Sequence, residues 1–182
     1  MASSDIGATA PRTAAVLIAS TRAAAGIYPD KTGPLLAEWL RNKGFDVTGP
    51  VVRADGEPFA RALVSVIGAQ TTGADRPDLV ITSGGTGISP TDVTPQVTAG
   101  LLDYEIPGLA EALRRRGADA GIATAVLSRG LAGVAGRTLV VNLPGSSGGV
   151  KDGMAVLDGV LEHALDQLTG GDHARLDNGA HS

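Results

Sequence analysis

A continuous apolar run, "TAAVLIAS" at 13–20, recurs in kind at "PDLVITS" (77–83) and again at 139–142, and the stretches between carry hydrophobic residues at three- and four-residue spacing. Short, uniformly apolar runs of this sort are strands buried on both faces, and strands alternating with helices build sheets that are mostly parallel. The expected fold is therefore α/β: a single three-layer domain with a mostly parallel sheet flanked by helices. Leu35, Leu36, Trp39 and Leu40 predict a helix with Thr32 as N-cap, Pro34 in the first turn and Gly44 at the stop. A second strand follows at 45–53, and Phe59, Leu63, Val66 and Ile67 predict a second helix. Thr94-Pro95 marks a helix start, with the threonine hydroxyl as cap. The spacing then predicts a helix through "IPGLAEALRRRG", whose run Arg114-Arg115-Arg116 reads as a solvated, dipole-favoured C-terminus. Residues 125–145 read as strand-rich. Val150, Met154, Leu157, Leu161, Leu165 and Leu168 predict one long final helix. The domain is expected over 12–168, with flexible polar tails at 1–11 and 169–182.

The 182 residues suffice for one domain with a sizeable core. Aromatics are only 3% of the chain, so that core must be Val, Leu, Ile and Ala. A net charge of −4 argues against sequence-independent binding to nucleic acid. The chain has no cysteine, which excludes disulfides, thiolate zinc sites and cysteine nucleophiles and is compatible with a reducing cytosol. No apolar run reaches the ~18 residues of a membrane span, and the first residues lack a basic segment followed by an apolar one, so a cytoplasmic location without membrane contact is expected.

The strand at 77–83 runs directly into "GGTGISPTDVTP". This loop lacks the Gly-Lys of a phosphate-binding Walker loop, and Pro90 breaks a dinucleotide fingerprint. Gly84, Gly85 and Gly87 are expected at positive φ, letting backbone amides approach an anion with the Thr86 hydroxyl alongside; a ligand-free tight turn is the alternative. Asp92 follows the loop. One aspartate beside a phosphate cradle is enough for magnesium, which completes its shell with waters and substrate phosphates, although an Asx-turn would use the same residue. Asp55 follows the second strand and reads either as a helix cap or as a group reaching the same sheet edge. In "NLPGSSGG", Pro144, Gly145 and Ser146 precede a helix N-terminus, a second place for an anionic group or a plain turn. His163, His173 and His181 all fall in the last helix or the tail, so Ser-His-Asp chemistry has little support.

The segments "GIYPDKTGP" (26–34), "ADGEP" (54–58), "TSGGTGISPTDVTPQVT" (82–98), "EIPGLAEALR" (105–114) and "AVLSRGLAGVAGRTLVVNLPGS" (125–146) occur in an order that resembles the Mog/MoaB-type molybdopterin-binding family. The resemblance implies a trimeric α/β protein of molybdenum cofactor biosynthesis that transfers AMP from ATP to the terminal phosphate of molybdopterin with Mg2+, releasing pyrophosphate. It implies catalytic roles for Asp55 and Asp92, with the metal at Asp92. It also implies substrate contacts at Ser20, the loop Gly84, Gly85, Thr86 and Gly87, Ser128 and Arg129 of "LSR", Asn142, and the turn Pro144, Gly145 and Ser146. Other cofactor-biosynthesis proteins are possible partners on the same resemblance. A MoaB-like molybdopterin-binding or carrier protein with weak or no adenylylation is the alternative within the family. Two positions depart from the adenylyltransferase pattern: Thr91, where a basic residue often stands, and Thr21, where an aspartate often follows the serine.

Overall fold

The computed structural model describes residues 10–68 and 76–170. β1 (Thr13–Ala19) leads through one helical turn, α1 (Thr21–Ala24), into α2 (Thr32–Asn42), β2 (Asp46–Arg53), α3 (Glu57–Ile67) and β3 (Leu79–Ser83). After these come α4 (Thr94–Ala99), β4 (Tyr104–Glu105), α5 (Pro107–Asp119), a 3-10 segment (Ala123–Leu127), β5 (Ala132–Ala135), β6 (Thr138–Leu143), α6 (Ser147–Asp158) and α7 (Leu161–Leu168).

The strands form one sheet in the order β2-β1-β3-β6-β5-β4. β2, β1, β3 and β6 run parallel, while β5 and β4 add an antiparallel edge. Successive strand side chains point to opposite faces. Val16, Ile81 and Val141 accordingly join Leu36, Leu40, Leu157 and Leu165 in a core beneath α2, α6 and α7. Leu17, Val80 and Val140 join Phe59, Leu63 and Ile67 in a second core beneath α3. The uniformly apolar strands thus serve two cores at once, giving three layers as expected. The register places Ile18 beside Ser83 and Ser83 beside Leu143. The C-terminal ends of β1, β3 and β6 therefore come together at one edge of the sheet, where ligands of open α/β sheets bind.

Several local expectations are corrected. The stripe from Val150 to Leu168 is two helices, broken at Gly159 and Val160. Glycine is the weakest ordinary helix former, and Asp158 at the junction is held by Trp39 and Lys43. Thr32 does not cap α2: Asp30 does, accepting from the Thr32 amide at 2.9 Å and the Gly33 amide at 3.1 Å. Nor does Thr94 cap α4, since its buried hydroxyl has no partner among the described residues. α5 continues past Gly117 to Asp119, because an added Cβ at Gly117 would lie 2.8 Å from that of Ala125 and the glycine is packed there, not terminating. Arg114 is correspondingly not fully solvated; its guanidinium donates to the Gly130 carbonyl at 3.1 Å. The first part of 125–145 is 3-10 helix with Val126 and Leu127 exposed, and only β5 and β6 are strands. Most of both expected tails, with His173 and His181, lies outside the described residues.

Candidate functional site

A cavity of about 710 Å³ opens at the sheet edge just described, between the ends of β1 and β3, the 20–32 segment and the turn before α6. Its glycine loop is shaped by close approach. Gly84 has φ +94°, and a Cβ there would lie 2.2 Å from the Ala19 carbonyl oxygen. Gly85 also has positive φ. Gly87 does not, contrary to expectation; it is needed because a Cβ would lie 2.7 Å from Asp92 Oδ2. The missing side chain makes room for the carboxylate.

Asp55 and Asp92 both line this cavity. Asp55 does not cap α3, whose N-cap is Gly56. Instead Asp55 Oδ2 accepts from the Thr21 amide at 2.9 Å and the Thr21 hydroxyl at 2.7 Å, while the Asp55 amide donates back to that hydroxyl at 3.1 Å. Asp55 Oδ1 is left facing the loop, 3.4 Å from where a Cβ on Gly85 would stand. Asp92 Oδ2 accepts the Ser89 amide at 3.1 Å, closing the turn, and Oδ1 has no protein partner among the described residues. Neither aspartate forms an ion pair among those residues.

Ser20, Thr86, Gly145 and Ser146 complete the sequence-expected part of the cavity wall. Ser20 caps α1 through the Ala23 amide, and Ser146 caps α6 through the Gly149 amide at 3.1 Å. The two glycine turns touch: a Cβ at Gly145 would lie 3.2 Å from the Gly84 Cα.

Ser128, Asn142 and Pro144 line a second, more apolar cavity of about 560 Å³ that shares Thr86, Gly87 and Ser146 with the first. Ile88, Leu113, Ile122 and Leu127 also line it. Asn142 is 2% exposed and its amide is fully engaged, donating to Thr82 and Thr98 hydroxyls at 3.0 Å each and accepting the Leu131 amide at 3.1 Å. It ties β6 to β3 and α4. Arg129 lines neither cavity; its guanidinium donates to the carbonyls of Gly87, at 2.7 Å, and of Asp92. It straps the loop that carries Asp92.

Sequence reasoning missed Tyr28, Asp30 and Lys31 as cavity residues. The signal was present in "GIYPDKTGP", which follows β1 as the glycine loop follows β3. Their chemistry is legible only once β1 and β3 are neighbours.

A mostly parallel sheet that gathers a glycine loop, two carboxylates without ion pairs among the described residues and two capped helix starts at one edge defines an α/β protein with its candidate site at the C-terminal ends of its strands. The chain belongs to the family described as probable molybdopterin binding domain, whose model matches residues 15–163. It is 30% identical over 159 residues to the Helicobacter pylori (strain 26695) molybdopterin adenylyltransferase, covering 85% of this chain and 86% of that protein. It is 35% identical over 170 residues to a Synechococcus elongatus molybdenum cofactor biosynthesis bifunctional protein, covering 93% of this chain but spanning about half (51%) of that relative's length. The solved molybdopterin biosynthesis Mog protein of Mycobacterium ulcerans is 56% identical and superposes with a TM-score of 0.78, covering 86% of this chain and 99% of that one. Among the described residues no helix is long and apolar enough to cross a membrane.

Proposed function

We propose that the chain is a molybdopterin adenylyltransferase, transferring AMP from ATP to the terminal phosphate of molybdopterin. The observation that carries this reading is the pair Asp55 and Asp92 in the first cavity, beside a glycine loop whose Thr86 and Gly87 also line the second. A carrier needs one binding cavity; a two-substrate transfer needs two that meet at the reacting groups. The polar cavity suits phosphates, and its apolar neighbour suits a flat ring system.

The chemistry needs no general base. A phosphate monoester has its second pKa near ~6 and is largely dianionic at neutral pH, so its oxygen attacks the α-phosphorus of ATP without losing a proton. The new P–O bond forms as the bond from the α-phosphorus to the bridging oxygen breaks, and pyrophosphate leaves with that electron pair. Phosphoryl transfer of this kind is catalysed chiefly by positioning and charge neutralisation. Backbone amides of the 84–87 loop and the start of α6 supply fixed partial positive charge, and Thr86, 5% exposed between the cavities, offers its hydroxyl to either substrate.

Magnesium fits this donor set. The described residues contain no cluster of three or more His, Cys, Asp or Glu, so an all-protein cage is not on offer, but magnesium takes one or two carboxylates plus phosphates and waters. Asp92 would hold it, with Asp55 lining the same cavity, and when bound it would neutralise phosphate charge. Asp55 and Asp92 orient the ligand, and Arg129 and Thr21 keep those carboxylates in place.

Pyrophosphate release by the purified protein with molybdopterin, ATP and magnesium tests the reading. Release that depends on the pterin, and falls by about 10² or more in Asp92→Asn, supports it. Tight pterin binding with no release in the unmodified protein sinks it in favour of a carrier.

A further inference from the structure

Three carboxylates line the first cavity, Asp30, Asp55 and Asp92, against two cations among the described residues, Arg22 and Lys31. An anionic ligand entering so acidic a cavity needs positive charge at its wall. Arg129 is not available, since its guanidinium is bound to loop carbonyls. Arg53 donates to the Val52 carbonyl and does not line the cavity.

Arg22 is placed differently. Its guanidinium carbon lies 5.3 Å from the centroid of the Tyr28 ring, and the Tyr28 hydroxyl lies 3.5 Å from that of Ser20 at the end of β1. Both side chains line the cavity. A cation–π contact holds a guanidinium by its charge and uses none of the N–H donors along its edge, the part that recognises phosphate oxygens in pairs. Among the described residues that edge has no hydrogen-bond or ion-pair partner. Lys31 presents a single flexible point charge with no such support.

We infer that Arg22, held by the Tyr28 ring, is the cation that grips the diphosphate portion of the nucleotide in this cavity, and that the pair sets a preference for ligands with two or more linked phosphates over monophosphates. This inference rests on the nucleotidyl-transfer reading above and names the residues that would hold the departing pyrophosphate. Arg22 and Tyr28 are exposed residues outside both cores, so replacing them leaves the fold intact.

The test is calorimetric titration of the full chain with inorganic pyrophosphate, ADP and AMP in magnesium. Arg22→Gln is expected to weaken pyrophosphate and ADP by about tenfold or more, the scale of a charge-assisted hydrogen-bonded contact. AMP should weaken by less than about threefold, since it lacks the second phosphate that the fork spans. Arg22→Lys should fall between. Tyr28→Leu should weaken pyrophosphate severalfold on its own and add nothing in the Arg22→Gln background, because the ring acts through the guanidinium. If the unmodified protein binds pyrophosphate or ADP and Arg22→Gln binds them equally well, the inference is wrong and the nucleotidyl-transfer reading survives. An equal loss for AMP would mean that Arg22 grips a lone phosphate, and an undiminished Tyr28→Leu effect without Arg22 would mean that the ring contact is not the device; either overturns it. Absence of any binding of pyrophosphate or ADP by the unmodified protein overturns both.

Discussion

At the scale of single residues, the candidate site is made by what is left out as much as by what is present. Gly84 combines a φ that ordinary side chains avoid with a carbonyl 2.2 Å from its would-be Cβ, so Gly84→Ala should lower unfolding stability by roughly 2 kcal/mol or more in denaturant titration, given ~1–3 kcal/mol for the strained backbone alone. Gly148 in α6 has nothing within 4 Å of its would-be Cβ, and Gly148→Ala is the control expected to hold or gain stability. Thr21 shows the same economy in polar terms. Its hydroxyl and amide together fix one oxygen of Asp55 and turn the other to the loop. Thr21→Val keeps the amide contact but loses the hydroxyl, and should cut pyrophosphate release roughly tenfold while raising the magnesium needed for half-maximal rate. Thr21→Ser should restore both. If Val and Ser behave alike, Thr21 is only a spacer between β1 and α1.

At the scale of elements, Asn142 is where strand, helix and loop meet. Replacing it with Leu keeps the volume but strands the Leu131 amide and leaves the Thr82 and Thr98 hydroxyls short of a partner in a site 2% exposed. The expected loss is about 2–4 kcal/mol, read as a lowered melting temperature, because buried groups left unpaired cost their full desolvation. That bridge could not be foreseen from "VVNLPG", where the asparagine looks like a ligand contact beside a turn. The parallel core was legible because β1, β3 and β6 are apolar on both faces, and a run of that kind has few other uses. The break between α6 and α7 was not, because Leu157 and Leu161 keep helical spacing across it and both remain buried. The cap of α2 was misplaced by two residues because Thr32 and Asp30 are both good caps and only the backbone path selects between them. β4 is two residues long, too short to carry a period. At the site the glycine loop and both aspartates were readable as a linear motif, whereas Tyr28 and Asp30 join it only through the pairing of β1 with β3.

At the scale of the whole molecule, the two edges of the sheet do different work. The C-terminal edge holds the cavities. At the other, Arg12 pairs with Asp166 and Lys43 pairs with Asp158 at 2.6 Å, and α6 carries Asp158 about 18 Å from the Ser146 turn at ~1.5 Å per residue. The Lys43 hydrogen bond holds the Asp158 carboxyl below its ordinary 3.8, aided by the Trp39 indole and the Lys43 charge and opposed by partial burial. A carboxyl with a depressed folded-state pKa stabilises the fold above its unfolded value, and that contribution fades as pH falls through the folded value. Because Asp158 and Lys43 are 50% and 33% exposed, the contribution is small, up to about 1 kcal/mol. Asp158→Asn should therefore be slightly less stable than the unmodified protein at neutral pH, with the gap constant down to about pH 4 and closing below it. High salt should narrow the gap at neutral pH. Pyrophosphate release should be unchanged, since nothing at this edge touches either cavity wall at the site. A gap that persists unchanged at pH 2 would show that Asp158 stabilises the α6–α7 junction through shape and hydrogen bonding to Trp39, and not through its charge.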